Sequence, residues 1–334
     1  MTRYLFRDRE AAAWNTSVLL WVSAGWIASF PLMAAPGAGL NVLGVLLCAH
    51  AMVLAAYLIH EAAHQTLFAG QSANFAVGEA MNFIAGSSYA SFERIRHMHI
   101  RHHMERADLA CFDFKEFLNR RTRMCRTLQI LEWCYIPATE ILMHLQIVWR
   151  PVFVPSQRRH LRRSMLMLAL RVGLLASLAA WSVKAVLLYF VAVGVMLHVL
   201  NFFDAFHHTF DQYFVRADEP VPAHDRSRTY EQSNTYSNLI STRHPWLNFL
   251  TLNFGYHNAH HEKASVPWYR LPDFHRRLYG AETQAVLPLS ELVRTWHYNR
   301  VRRVKADNYG GPGKDNRSAD EFVGAHGVSF LTVI

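Results

Sequence analysis

In the stretch Leu40-Asn-Val-Leu-Gly-Val-Leu-Leu-Cys-Ala-His-Ala-Met-Val-Leu-Ala-Ala-Tyr-Leu-Ile-His-Glu-Ala-Ala-His64, an apolar run without formal charge ends on two histidines. Residues 40–59 come close to the ~20 residues that span a hydrocarbon core. His60 and His64 are spaced i, i+4, so they share one face of a helix. The stretch reads as a membrane-spanning helix that delivers two imidazoles to the membrane surface. Upstream, residues 15–34 form a second apolar run, preceded by a basic head (1–14) with Arg3, Arg7 and Arg9. Pro36-Gly-Ala-Gly39 separates the two runs without a charge. Residues 15–69 therefore read as a transmembrane hairpin with a very short outer turn. The alternative is a pair of buried core helices, which the uninterrupted length of the runs disfavours.

Residues 70–163 read as a cytoplasmic and interfacial segment. Phe75, Val77, Met81, Phe83 and Ile84 recur at helical spacing and predict an interfacial helix within 70–93. Arg94 to Arg126 is crowded with arginine. Residues 127–154 are apolar but interrupted by Glu132, Glu140, His144 and Arg150, which predicts one amphipathic stretch in the interface, ended by Pro151 and Pro155. Residues 164–204 are too long for one spanning helix: at 1.5 Å per residue they would reach ~60 Å, twice the hydrocarbon thickness. Two helices turning near Ser182-Val-Lys184 fit, giving a second hairpin over 164–208. Arg171 then lies inside the membrane and must snorkel or find a partner. Residues 209–334 form a polar cap and tail. Trp246-Leu-Asn-Phe-Leu250 and Phe330-Leu-Thr-Val-Ile334 are expected to pack on its membrane-facing floor, and Asn308-Tyr-Gly-Gly-Pro-Gly313 reads as a turn-rich linker. No internal repeat is visible. The fold class predicted is an all-α integral membrane protein, a single domain over 1–334. It has four transmembrane helices in two hairpins, interfacial helices and a cytoplasmic histidine-rich cap.

Composition agrees. Hydrophobic residues make up 51% of the 334 and charged residues 18%, and the net charge is +9. Lys and Arg crowd the head, residues 94–163 and the tail, while the two outer turns hold only Lys184. The positive-inside rule therefore puts the histidine clusters in the cytoplasm, at the inner membrane if the cell is bacterial. No nucleic-acid motif accompanies the basic charge, which suits anionic lipid or an acidic protein partner. Cys48, Cys111, Cys125 and Cys134 form no CxxC pair, which argues against an iron–sulfur or zinc-ribbon site and fits a reducing compartment. No cleavable leader is expected.

Two more histidine clusters follow the first. His99, His102 and His103 form HxxHH, as do His257, His260 and His261. On a helix, i and i+3 or i+4 converge. Eight imidazoles exceed the three or four that one zinc takes. Two metals in a shared histidine cage is the economical reading, and imidazole leaves iron, copper, nickel and zinc open. Asn201-Phe-Phe-Asp-Ala-Phe-His-His208 ends the last apolar run and puts Asp204 and His208 on one face. His208 would be a ninth ligand, with Asp204 a direct, water-bridged or outer partner. His60-Glu-Ala-Ala-His64 also matches the HExxH pattern of zinc proteases. A soluble protease needs neither the other clusters nor four apolar spans. A metal transporter would need polar residues across the membrane, whereas these clusters keep to one face. His97 and His207 adjoin better candidates and are left out. His50 and His198 lie within spans and are expected to hydrogen-bond between helices rather than line a cavity. His144, His160, His224, His244, His275, His297 and His326 read as surface or packing residues.

The three boxes, in this order and around two hairpins, resemble the membrane fatty-acid desaturase/hydroxylase superfamily. Asn253-Phe-Gly-Tyr-His-Asn-Ala-His-His-Glu-Lys-Ala-Ser-Val-Pro-Trp-Tyr-Arg-Leu-Pro272 is similar to that family's third box, including its proline-aromatic segment. The resemblance covers about 40–275. It implies a non-haem di-iron centre that activates O2 with outside electrons. It also implies that His60, His64, His99, His102, His103, His257, His260 and His261 are iron ligands. Asp204 and His208 resemble the Asn-x-x-x-His element of the acyl-CoA desaturase branch, in which the His is a ligand and the Asn holds a water. Asp replaces Asn here. The activity implied first is desaturation of a fatty acyl chain taken from the bilayer. Oxidative decarboxylation of a free fatty acid to a terminal alkene and hydroxylation remain open. The chain carries no haem-attachment, cluster or nucleotide motif, so electrons are expected from a ferredoxin- or rubredoxin-type donor docking on the Arg-rich face.

Overall fold

The computed structural model describes residues 5–215, 219–280, 286–313, 319, 321–329 and 331–332. Arg3 of the basic head and Phe330, Val333 and Ile334 of the tail patch lie outside them. Regular structure is almost all helical. In chain order the elements are α1 (Arg9–Ala34), α2 (Ala38–Ala63), α3 (Gln71–Ala85), α4 (Phe92–Glu105), β1 (Asp108–Ala110), α5 (Phe114–Asn119), α6 (Thr122–Trp133) and α7 (Ala138–Phe153). Then come α8 (Leu161–Trp181), α9 (Val183–Ala205), β2 (Gln212–Phe214), α10 (Arg228–Ser233), α11 (His257–Glu262), α12 (Leu271–Tyr279) and α13 (Leu289–Asn299). They form two compact units, Met1–Arg96 with His144–Val199, and His97–Met143 with Leu200–Ile334.

The first unit holds the apolar helices. Four helical stretches are long and apolar enough to cross a membrane: Arg9–Ala34, Ala38–Ala63, Pro155–Trp181 and Val183–Ala205. Asp8 starts α1 by accepting the Ala11 N–H at 2.7 Å. At the other end, Asn41 Nδ2 donates to the carbonyls of Leu32, Met33 and Ala35 at 3.0, 3.1 and 2.8 Å. It thereby satisfies groups that a helix C-terminus leaves orphaned. Gly44 lets α2 run against α1, since a Cβ there would sit 2.8 Å from Met33 N. Every residue of α2 from Ala51 to Ala63 is buried. Leu20, Trp21 and Ile27 of α1, Leu166, Leu170 and Val172 of α8, and Leu187, Phe190 and Val191 of α9 instead face outward, as lipid-facing positions would.

The long apolar run over 164–204 breaks at Ser182, as its length requires. Lys184, just beyond, donates to the Ala35 carbonyl and to Asn41 Oδ1, the latter at 3.1 Å. The two interhelical turns are therefore side by side. Arg171 does not snorkel. It is buried, donates to the Phe83 carbonyl at the end of α3 at 2.6 Å and to Tyr189 of α9 at 3.2 Å, and lies over the Phe83 ring.

The second unit is built from short elements. Phe114, Leu118, Cys125, Leu128, Ala138, Met143 and Val304 form one apolar cluster, and Ala205, Phe206, Leu287, Leu292, Ala319 and Phe322 another. β1 pairs in parallel with β2, Asp108 opposite Gln212. Two sequence expectations are corrected here. Residues 127–154 are not one stretch: α6 stops at Trp133, Tyr135 takes a left-handed φ of 61°, and α7 restarts at Ala138 after Pro137. Pro151 does not end α7 at once but sits in its last turn, where it removes one i→i−4 hydrogen bond, and the helix runs only two residues further, to Phe153.

The glycine contact is open to test. Gly44→Val should lower the thermal unfolding midpoint in detergent, by overpacking worth about 1–3 kcal/mol. Gly39→Ala, with no atom within 4 Å of its added Cβ, should match the parent.

Candidate metal centre

Two sequence devices build the second unit's histidine cluster. On α4, i, i+3 and i+4 spacing carries His99, His102 and His103 round to one side. α11 is only six residues long and is held from outside. Leu252 and Asn253 take successive left-handed φ values of 47° and 56° and turn the chain into it. Gly255 passes so close to Asn238 that a Cβ would meet its carbonyl oxygen at 2.7 Å. Buried Asn258 then fixes α11, accepting from Ser237 Oγ at 3.0 Å and donating to the Thr235 carbonyl at 2.5 Å.

The imidazoles meet at two foci. His103 Nε2 lies 3.2 Å from His99 Nε2 and 3.2 Å from His260 Nε2. His208 Nε2 lies 3.2 Å from His102 Nε2 and 2.8 Å from His257 Nε2. His261 joins both: its ring stacks on His103 at 4.3 Å, and one of its nitrogens lies within 4.8 Å of those of His102 and His208. A neutral imidazole nitrogen carries one in-plane hydrogen or one in-plane lone pair. It can satisfy one such neighbour but not two. A cation at each focus resolves the conflict, because all three lone pairs can then point at it. The donor set therefore fits metal.

Outer partners aim the rings. His102 Nδ1 lies 2.8 Å from the Ala107 carbonyl and 3.5 Å from Asp108 Oδ1, so its Nε2 is turned inward. His261 Nδ1 meets Glu231 Oε1 at 3.1 Å, and Arg106 holds the other Glu231 oxygen at 2.9 Å. Thr235 Oγ1 stands 3.3 Å from His208 Nδ1. Such contacts set tautomer and ring direction at a metal site. Burial first, and then the neighbouring imidazoles, holds His208 and His257 well below the ordinary histidine range. Both are thus neutral, the form that binds metal. Burial pushes Asp108 the other way, up to about 7.

Beside the foci is a cavity of about 60 Å³ whose wall includes His99, His102, His208, His257, Asp108 and Asp204. It has room for a few water-sized groups. Asp204 Oδ2 is enclosed with no hydrogen-bond partner among the described residues.

The structure thus gathers His99, His102, His103, His208, His257, His260 and His261, with Asp204 on the cavity wall. His60 and His64 belong to the first unit. They close α2, with ring centroids 4.8 Å apart and His60 Nδ1 at 3.4 Å from Glu61. His207 is an outer residue, bonded to Asn238 Oδ1 at 2.6 Å and stacked on His257, and His97 is exposed. His50 accepts from Trp21 across the first hairpin at 3.2 Å. His326 is buried packing, against Phe114. Sequence reasoning missed Glu231, Thr235, Asn238 and Asp108. They carry no spacing signal, and only the folded chain brings them to the histidines.

A family model described as fatty acid desaturase matches residues 37–292. The chain belongs to the fatty acid desaturase family. Comparison with curated proteins gives no match. For a desaturase-family chain, four apolar helices suggest a membrane protein. A histidine cluster able to bind metal is consistent with oxidation of fatty acyl chains at a di-iron site.

Because His208 and His257 stay neutral well below pH 6.5, bound metal should survive moderate acid. Histidines at the ordinary value would be mostly protonated at pH 6. Metal content after desalting at pH 6.0 should equal that at pH 7.5. Loss of half the metal between the two would contradict the burial of His208 and His257.

Proposed function

We propose that this protein is a multi-pass membrane oxidase with two irons per chain that desaturates a fatty acyl chain. One observation carries the reading: in a desaturase-family chain, two foci each gather three imidazole nitrogens with no proton arrangement that satisfies them. The proposed ligands are His99, His102, His103, His208, His257, His260 and His261, joined by His60 and His64 from the end of α2. The two units would then act as one domain over 1–334, with the centre on the cytoplasmic face. Support for His60 and His64 comes from their spacing and from the family resemblance of their box.

Bound iron would supply O2 activation, with two electrons from an outside ferredoxin- or rubredoxin-type carrier, and so the removal of two hydrogens from adjacent methylenes. The protein's own residues do the rest. Glu231, Thr235 and the Ala107 carbonyl orient imidazoles. Asp204 offers a carboxyl to the cavity, as a water-bridged or outer partner of the iron. The outward apolar faces of α1, α8 and α9 keep the chain in the lipid where an acyl substrate dissolves. The arginine-rich segment 94–126 offers a basic surface to an acidic donor.

Two experiments test this. Metal analysis of purified protein should find about two irons per chain, and one zinc without iron would defeat the reading. Gas chromatography after turnover with a defined fatty acyl substrate should give an internal alkene. An alcohol, or a terminal alkene one carbon shorter, would move the assignment to hydroxylation or decarboxylation. For the element on α9, His208→Ala should lose part of the iron, since one focus loses its central nitrogen. Asp204→Asn should keep the iron and change the rate or product ratio. Full iron in His208→Ala, with parent-like turnover in Asp204→Asn, would remove the element from the site.

A further inference from the structure

We propose that Phe210 is the partition of the metal centre: its ring holds His102, His208 and His261 in place and keeps a neighbouring solvent cleft off their nitrogens. This rests on the two-metal reading above. Each of the three imidazoles offers one nitrogen within 4.8 Å of the other two, so they form a ligand group of their own. One apolar side chain touches all three. The Phe210 ring stacks on His208, with centroids 4.3 Å apart and planes at 15°. It meets His102 at 5.8 Å and 57°, and His261 at 6.1 Å and 68°. Its other ring neighbour among the described residues is Tyr230, nearly parallel at 5.8 Å.

Hydrogen bonds on both sides fix the residue. The Thr209 N–H donates to the Asn234 carbonyl at 3.0 Å, and Thr209 Oγ1 donates to Asn234 Oδ1 at 2.8 Å. The Asp211 carbonyl accepts the Asp108 N–H at 3.0 Å, where β1 and β2 begin to pair. Phe210 is thus held between two anchored neighbours, and it is 2% exposed. It nevertheless borders a cleft of about 620 Å³ whose walls include the exposed Glu116, Asp211 and Asp307. Polar walls and a volume of this size suit water. His208 lines the smaller cavity beside the foci, which Phe210 does not. The order is therefore cleft, Phe210, His208, cavity.

A phenyl ring in this place does two things. Stacked on the His208 imidazole, it limits the directions in which Nε2 can point, and a metal ligand needs its ring orientation fixed. Having no polar group, it also gives cleft water nothing to bind beside the nitrogens. The apolar shell of a metal site controls solvent access, and exclusion of water suppresses side reactions there. Phe210 is thus a positioning residue and a barrier at once. Leucine at this position leaves a partial wall without a flat face, and alanine leaves a hole. Phe322, buried against Phe206 in another apolar cluster of the same unit, provides a control for packing alone.

The first measurement uses the metal-free full-length protein in detergent. Diethyl pyrocarbonate carbethoxylates accessible imidazoles, and peptide mass spectrometry reads the rate at each histidine. His208 should react several-fold faster in Phe210→Ala than in the parent, with Phe210→Leu in between. In Phe210→Leu, His99 and His260 should keep the parent rate, and in Phe322→Leu so should His208. An unchanged His208 rate in Phe210→Ala overturns the partition. So does equal acceleration of all three histidines in Phe210→Leu, or acceleration of His208 in Phe322→Leu as large as in Phe210→Leu. The second measurement uses protein purified with its metal and mixed with excess EDTA. In Phe210→Leu one of the two metals should leave several-fold faster than in the parent, and the other at the parent rate. Faster release of both together, or of neither, overturns the proposal. A parent that carries fewer than two metals defeats the two-metal reading instead, and the labelling then decides the partition by itself.

Discussion

Imidazole nitrogens held nose to nose are a liability. His103 and His208 each face two other ring nitrogens at hydrogen-bond distance, and one hydrogen cannot serve both. His99, His208, His257, His260 and His261 are buried as well. The second unit must therefore be held together by other contacts, and a bound cation would return what the cluster costs. The rest of that unit can be understood as the means of meeting this demand. α11 is clamped by Asn258, α4 leads straight into β1, and β1 is tied to the strand that follows His208.

Around the histidines stands a ring of acids. Glu231 offers an oxygen within 4.8 Å of nitrogens of His103 and His261, Asp108 lies beside His102, and Asp204 is on the cavity wall. Carboxyls so placed would compensate the charge of a bound cation. The same proximity makes the acids sensitive to whether the cation is there. A carboxyl that is costly to ionise in the empty cluster becomes easy to ionise beside a metal.

Much of this was legible in the chain, and for identifiable reasons. A long apolar run favours a helix because lipid tolerates no orphaned backbone group, so α1, α2, α8 and α9, the helices long and apolar enough to cross a membrane, could be read from composition. Histidine spacing works because a helix converts i, i+3 and i+4 into a shared face. What could not be read is tertiary. Glu231 lies 30 residues from the His261 ring it orients, and Arg171 found its partner at the end of α3, across 88 residues. β1 and β2 are three residues each, too short for a period-2 pattern. The break between α6 and α7 did leave a mark, Pro137, which the apolar periodicity around it masked.

Lys184 and Asn41 join the two interhelical turns of the first unit. The ammonium is occupied by a helix-end carbonyl and an amide oxygen, so it is a fastener more than a free charge. Parting the two turns must therefore first break the Lys184 bonds to the Ala35 carbonyl and to Asn41 Oδ1.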